Sequence, residues 1–209
     1  MSEIIKKLKQ RQVRLAYWFV DVDDKNRNKI ALENFGVLVD TKVTYVFNLD
    51  SSFSYVSDKH IQSYTDTFVS RQLLSLAFES GTYSRFRTDT HFTHREFEKL
   101  YTQWIEQSVK RVRAFEVFVY RENHANIQGF VTLEEKNEIG NIGLIAVHEN
   151  SRGNAIGTKL VYSAIAEFFK RGIHMIAVIT QKQNINACHF YEKLGFAIMS
   201  TQNVYHFWL

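Results

Sequence analysis

Three observations on the 209-residue chain predict an α/β fold. First, residues 142–196 run as apolar strand, glycine-containing turn, apolar-faced helix, apolar strand and second helix, the order of a β-α-β unit. Second, Met175-Ile176-Ala177-Val178-Ile179 is a continuous apolar run, as expected of a strand buried on both faces. Third, residues 115–120, 129–133 and 142–147 read as strands joined by polar turns at 122–126 and near Lys136-Asn137, forming a meander.

The remaining elements follow from pattern. Lys6, Lys7, Lys9, Arg11 and Arg14 mark a short basic helix whose Ile4, Ile5 and Leu8 turn inward. Contact with nucleic acid or an anionic membrane is the alternative, but no aromatic interleaving supports it. Residues 13–22 read as a strand and 23–28 as a polar loop. Residues 35–39 and 43–49 read as two strands around a turn at Asp40-Thr41-Lys42, and 58–66 carry no period. Residues 70–80 are expected to be a helix stopped by Gly81. Thr93-His94-Arg95-Glu96 has the form of a capping box, and Phe97, Leu100, Tyr101, Trp104, Ile105, Ser108 and Val112 would hold one helical face behind it. Ile156, Leu160, Val161, Ala164, Ile165, Phe168 and Phe169 fit a 3.6-residue period. Lys170 and Arg171 fill that helix's last turn, with Gly172 beyond its end. Residues 204–209 form an aromatic strand, expected to be exposed and to admit a homodimer. No internal repeat, low-complexity tract or linker is visible. Residues 1–65 would be an extra N-terminal αβ region and 66–209 the main domain, although no composition shift marks the boundary.

Composition sets outer limits. Hydrophobic residues make up 45% and charged residues 23%, ordinary for a globular protein. Proline is absent, against about ten at average usage. The net charge of +4 suits anionic small ligands without requiring them. A lone cysteine, Cys188, excludes an internal disulfide and fits a reducing compartment. With no apolar run near the ~18 residues of a membrane span and no signal-like segment, the expected location is the cytoplasm.

The chemistry concentrates in two blocks. In Arg152-Gly153-Asn154-Ala155-Ile156-Gly157-Thr158 a turn opens a helix. The unpaired amides and positive dipole of a helix N-terminus hold phosphate there, glycine allows close approach, and Arg152 adds a planar cation. The second block is Asn184, Ala187, Tyr191, Gly195 and Phe196. These residues resemble the GNAT superfamily of acyl-CoA-dependent N-acyltransferases, whose pyrophosphate loop is Arg/Gln-x-x-Gly-x-Gly/Ala and whose second block is Asn-x-x-Ala-x-x-x-Tyr-x-x-x-Gly-Phe. The departure is Ala155 in place of a glycine, expected at negative φ. A narrower resemblance, to bacterial TDP-fucosamine acetyltransferase-type enzymes, lies in residues 81–89, in Trp104, Ile105 and Ser108, and in residues 205–209.

The resemblance implies a GNAT fold, with a central mixed, mostly antiparallel sheet flanked by helices. It implies acyl-CoA as co-substrate, acetyl or longer such as hydroxybutanoyl, and a dTDP-linked amino-dideoxyhexose of surface-polysaccharide or O-antigen synthesis as acceptor. Main-chain groups of Ile145, Ala146 and Val147 would pair the pantetheine arm like an added strand. Asn184 would bind the cofactor, and Tyr191 would protonate the departing thiolate. Tyr83, Ser84, Arg85, Phe86, Arg87 and Trp104 would meet the sugar nucleotide. Arg85 and Arg87 would share one side of an extended segment, or else pair with Asp89 or Glu79. For Trp104 core packing is the alternative role, as it is for Tyr191 without its flanking residues. No general base stands out among His148, Glu149, Glu134, Glu138 and Glu79. His91 and His94 lack a third ligand, so no metal is expected, and Cys188 reads as a small buried hydrophobe rather than a nucleophile. The alternatives are an acceptor of another kind (a protein N-terminus, polyamine or antibiotic amine) and an acyl-CoA-binding module without turnover.

Overall fold

A computed structural model describes residues 1–50, 53–56, 58–122 and 126–209; most of the polar turn expected at 122–126 lies outside these. Eight strands form one sheet in the order β1-β8-β2-β7-β6-β5-β4-β3. They are β1 (Leu15–Asp21), β2 (Val37–Asn48), β3 (Ile61–Ser63), β4 (Glu116–Tyr120), β5 (Gly129–Lys136), β6 (Ile139–Val147), β7 (Met175–Gln181) and β8 (Ala197–Trp208). Among the described residues only β6 and β7 pair in parallel, so the sheet is mixed and mostly antiparallel, as expected. The helices are α1 (Ser2–Gln10), α2 (Lys25–Glu33), α3 (Arg71–Ser80), α4 (Arg85–Thr88), α5 (Glu96–Val109), α6 (Ile156–Lys170) and α7 (Ile185–Lys193).

Among the described residues three hydrophobic clusters hold the layers together, the smallest formed by Val20, Ala31, Tyr205 and Phe207. On one face α6 lays Leu160, Val161, Ala164, Ile165 and Phe168, all fully buried, against Val131, Leu133, Ile176 and Val178, the apolar stripe its sequence period dictates. On the other, α3 and α5 bury Leu73, Leu76, Tyr101 and Ile105 against Val117, Val119 and Phe130. Ser70, expected inside α3, caps it instead by accepting from Leu73 N at 3.2 Å, and Gly172 follows α6 at φ 75°, as the sequence predicts.

Several local expectations change. Residues 25–33 are a helix, not a loop: Asp24 Oδ1 accepts from Arg27 N at 2.9 Å, a cap on a helix too polar to show a period. The two strands expected at 35–39 and 43–49 are one strand, because Asp40-Thr41-Lys42 has no glycine to reverse the chain and β7 and β8 supply ladder partners on both sides. Helix α5 starts after Arg95 in the left-handed region without a side-chain cap; Glu96 accepts from His94 N instead, so Thr93 closes no capping box. Val112 lies beyond α5 and is exposed, as is Ile4 on α1. The C-terminal aromatic strand is interior, between β1 and β2, so it offers no free edge for a dimer.

The sheet also contains a repeat that the sequence conceals. Residues 2–49 and 162–209 fold alike at a constant offset of 160. The β1/β8 pair Asp21↔Gln202 recurs as Lys42↔Gln181 between β2 and β7, and Leu15↔Trp208 recurs as Asn48↔Met175. Within β2/β8, Lys42 pairs with its own counterpart Gln202, and Val37↔His206 mirrors Val46↔Ala197. Each copy runs α-β-α-β, and the two interdigitate about a local twofold axis at Lys42/Gln202. Loop geometry repeats too: Gln12 and Gly172 are left-handed at φ 57° and 75°, and Phe35 and Gly195 at 62° and 88°. Of the 48 aligned pairs seven are identical, namely Ile5/Ile165, Arg11/Arg171, Asn26/Asn186, Thr41/Thr201, Tyr45/Tyr205, Phe47/Phe207 and Leu49/Leu209. Strands β1 and β2, from the segment 1–65, thereby belong to the same sheet as β7 and β8.

Candidate active site

The parallel pairing of β6 with β7 ends at Ile142↔Val178. Beyond it the two strands separate, and a cavity of about 1270 Å³ opens between them. Its β6 wall is shaped by a bulge: Val131 pairs with Ile145 but Leu133 with Ile142, so β6 carries one extra residue. The Leu144 amide is satisfied by Thr132 Oγ1 at 2.8 Å, inside the protein. His148 N donates to Gln128 O at 2.8 Å, which sets the phase of the ladder. By alternation, the main-chain groups of Ile145 and Val147 turn away from β5 and toward the cleft, while Ala146 bonds to β5.

At one end of the cleft the turn 152–155 leads into α6. The first helical bond is Lys159 N to Ala155 O at 3.0 Å, which leaves the amides of Ile156, Gly157 and Thr158 as the unpaired donors of the helix start. The Ile156 side chain is buried in the core, so its amide is what it presents. Gly157 leaves room for α7: a Cβ there would stand 3.3 Å from Phe190 Cζ. Ala155 is left-handed at φ 56°, contrary to the negative φ expected, at a strain of about 1 kcal/mol. Arg152 reaches back with Nε 3.0 Å from Val147 O and Nη2 3.2 Å from Glu79 Oε2, and Asn154 Nδ2 donates to Ser151 O at 3.3 Å.

The middle of the cleft is lined by α7. Asn184 caps that helix, its Oδ1 accepting from Ala187 N at 3.2 Å, and lines the cavity. Tyr191 is 3% exposed among Tyr45, Phe190 and Phe196, and among the described residues its hydroxyl makes no hydrogen bond. Burial pushes the phenol well above its ordinary range, helped by neighbouring Cys188, so it stays protonated at neutral pH. Cys188 is partly buried against the main core, with Sγ 3.7 Å from Gln181 O.

The far end widens into a chamber. Tyr83, Ser84, Arg85, Phe86, Tyr101 and Trp104 form its wall, and Phe19, Asp40 and Lys42 its floor. Ser84 is nearly buried and caps α4. Because 85–88 is helical, Arg85 and Arg87 diverge by about 200° instead of sharing a side. Arg85 lies over Phe86, Tyr17 and Phe19 at 4.6, 5.2 and 5.8 Å with its Nε buried and unpartnered. Arg87 packs over Phe97 at 5.3 Å, away from the cavity lining. Neither pairs with Asp89 or Glu79. Trp104 donates to Glu134 Oε1 at 2.7 Å, and Arg113 covers its ring at 4.0 Å. Glu134 and Glu79 are therefore engaged, and His148 caps the short turn Glu149–Ser151. Asp89 binds His91, His206 and Trp208 at 2.8, 2.6 and 3.1 Å, a network that seats α4 on β8. Among the described residues no group of three or more His, Cys, Asp or Glu is placed to hold a metal.

Sequence reasoning missed Phe19, Asp40, Lys42 and Tyr101. The one available signal was Asp40, a carboxylate between apolar segments, a residue type rarely fully buried without a partner.

Comparison with known proteins agrees with this geometry. Residues 76–196 match the model of the acetyltransferase (GNAT) family. Over 138 residues, 66% of this chain and 57% of the relative, the sequence is 32% identical to dTDP-fucosamine acetyltransferase of Escherichia coli O6:H1. It is 22% identical to the spore coat polysaccharide biosynthesis protein SpsD of Bacillus subtilis over 65% of this chain and 46% of that protein. The chain thus spans about half the length of these relatives. Its fold resembles a GCN5-related N-acetyltransferase from Sphaerobacter thermophilus, with a TM-score of 0.64 at 14% identity, covering 99% of this chain and 66% of that one. It also resembles a tandem GNAT protein from the clavulanic acid biosynthesis pathway, with a TM-score of 0.61 at 13% identity over 97% and 66%. The family match covers more than half of the chain and includes the diverging strands, the helix-start turn and Tyr191: the chain belongs to the GNAT acetyltransferase family.

Proposed function

We propose that this protein is an acyl-CoA-dependent N-acyltransferase acting on the amino group of a dTDP-linked amino-dideoxyhexose, in cytoplasmic assembly of a surface polysaccharide. One observation carries the reading. A single cleft joins a turn of free helix-start amides, a protonated buried tyrosine and a chamber walled by Arg85, Tyr83 and Trp104. A relative named dTDP-fucosamine acetyltransferase, 32% identical over 138 residues, supports the same reading.

The residues suit acyl-CoA. The amides of Ile156, Gly157 and Thr158 with Arg152 suit its pyrophosphate, and the outward main-chain groups of Ile145 with the Val147 amide suit an extended amide-bearing arm. Bound there, acyl-CoA supplies an activated carbonyl carbon and a thiolate leaving group. The acceptor's neutral amine forms the new C–N bond as the C–S bond breaks. Tyr191 gives its proton to the departing sulfur and is reprotonated from solvent, and the amine's surplus proton leaves to water. A phenol suits this task because it remains protonated until the thiolate, a stronger base than the thioester sulfur, develops. Aromatic rings and an arginine fork at the far end suit thymine and phosphate oxygens.

The test is release of free thiol from acetyl-CoA and hydroxybutanoyl-CoA with dTDP-amino-dideoxyhexoses, polyamines and peptide amines as acceptors. Release dependent on the nucleotide sugar is expected. Release confined to peptides or polyamines would replace the acceptor, and CoA binding without release from any pairing would replace the activity.

A further inference from the structure

The floor of the chamber comes from the N-terminal repeat and carries Asp40, the wall carries Arg85, and one polar atom of each has no hydrogen-bond partner. Asp40 is 3% exposed, and its Oδ1 has no hydrogen-bond partner. Arg85 Nε, on the facing wall, is likewise buried and unpartnered. Both residues line the cavity, and no ion pair joins them. A buried carboxylate oxygen without a donor is costly, so a native fold that keeps one beside an open chamber has a use for it. A small group that serves both must donate to the carboxylate and accept from the guanidinium. A hydroxyl does both and an ammonium only donates; a neutral amine also does both, but in the reading above the acceptor's amine is committed to the thioester carbon, which leaves a hydroxyl for this pair.

The second copy of the repeat supplies an internal control. At the positions of Asp40 and Lys42 it carries Ser200 and Gln202, in the same strand register about the local twofold axis. The fold of this strand therefore requires neither charge. The carboxyl of Asp40 is pushed up to about 6 by burial, opposed first by Arg85 and then by the Thr41 amide and Lys42. It is thus ionised, and an acceptor, at neutral pH.

We propose that Asp40, contributed by the N-terminal repeat, binds a ring hydroxyl of the acceptor sugar together with Arg85, and so selects hydroxyl-bearing acceptors. This rests on the acyltransferase reading above and adds a residue and a selectivity to it.

The experiment compares wild type with Asp40→Ser, a residue the second copy already accommodates. Three quantities are read: kcat/KM for a dTDP-amino-dideoxyhexose, kcat/KM for an analogue deoxygenated at the hydroxyls beside the amine, and the Kd of CoA. The proposal expects a loss of tenfold or more on the hydroxylated acceptor, less than threefold on the deoxygenated one, and an unchanged Kd for CoA. Equal losses on both acceptors, or a changed CoA affinity, would overturn it while leaving the acyltransferase reading intact. Wild-type protein that transfers to no hydroxylated acceptor would overturn both. Thermal melting separates a folding defect: Asp40→Ser should melt no lower than wild type near pH 7, and a lower melting temperature would make Asp40 structural and sink the proposal.

Discussion

Asp24 and Asn184 cap equivalent helices in the two copies of the repeat, each by accepting from the amide three residues on. From there the copies diverge in chemistry while keeping the same backbone. Where the C-terminal copy places Tyr191, the N-terminal copy has Ala31, fully buried under Phe207 and Tyr205. Where the C-terminal copy reads Gly195-Phe196, the N-terminal reads Phe35-Gly36, with the left-handed residue at the same site. The comparison separates what the scaffold demands from what the chemistry demands. The ladder, the caps and the left-handed turn recur, so they are structural. The tyrosine at the cleft and the carboxylate on the chamber floor each occur once, so the repeated scaffold does not require them, and both are candidates for the proposed chemistry.

Four perturbations break or sharpen this contrast. The largest concerns Tyr191→Phe, which removes only the hydroxyl. Loss of a positioned acid should lower kcat by about 10²-fold or more with the Kd of CoA unchanged; a rate within threefold of wild type would remove Tyr191 as the acid and erase the functional difference from Ala31. Next, Gly36→Ala would place a Cβ 2.7 Å from Phe207 Cζ and 2.8 Å from Ala31 O. Overpacking of this kind costs about 1–3 kcal/mol, read as a lower denaturation midpoint. An unchanged midpoint would show that α2 shifts freely, unlike α7.

The third uses pH. The folded pKa of Asp40 lies above its ordinary 3.8, near 6, so its protonated form is favoured in the native state. Its contribution to stability is therefore fullest below pH 3.8 and is lost as pH rises through about 6. Asp40→Ser should gain on wild type across that window by about 1–2 kcal/mol at most, after discounting ~1.4 kcal/mol per unit for partial solvation. The charged groups facing it are Arg85 on α4 and Lys42 on β2, with the Tyr101 hydroxyl on α5. Acceptor kcat/KM should fall below pH 6 in wild type and lose that limb in the variant. A parallel pH dependence in both proteins would remove Asp40 from the titration. The smallest effect is at Phe35, 90% exposed at φ 62°. Phe35→Gly relieves left-handed strain of about 1–2 kcal/mol and adds unfolded-state entropy of about 0.5–1, so a net gain below about 1 kcal/mol is expected by chemical denaturation. A loss would mean that the exposed ring makes a stabilising contact.

The legibility of this chain varied with the kind of signal each residue carried. Helix α6 was readable because burial against a sheet forces a 3.6-residue apolar stripe, and the turn 152–157 because small residues before a helix start form a short contiguous run. Helix α2 was unreadable because it is polar almost throughout and its one buried residue is Ala31. Arg85 lines the chamber, but it does not share a side with Arg87 as the alternation predicts, since a four-residue helix leaves no period to detect. The repeat stayed hidden because strand pairing is made by backbone atoms, which the seven identities in 48 positions do not report.

By itself the sequence determined the β-α-β core, the helix-start turn, Asn184 and Tyr191, because each depends on neighbours within a few residues, where helical period, capping and glycine placement act. Only the tertiary structure decided that β2 inserts between β7 and β8, that the aromatic C-terminal strand is interior, and that Asp40 and Lys42 reach the chamber opposite Arg85. Those facts depend on which strands pair across 160 residues of chain, and hydrogen bonds between main-chain groups leave almost no mark on side-chain identity.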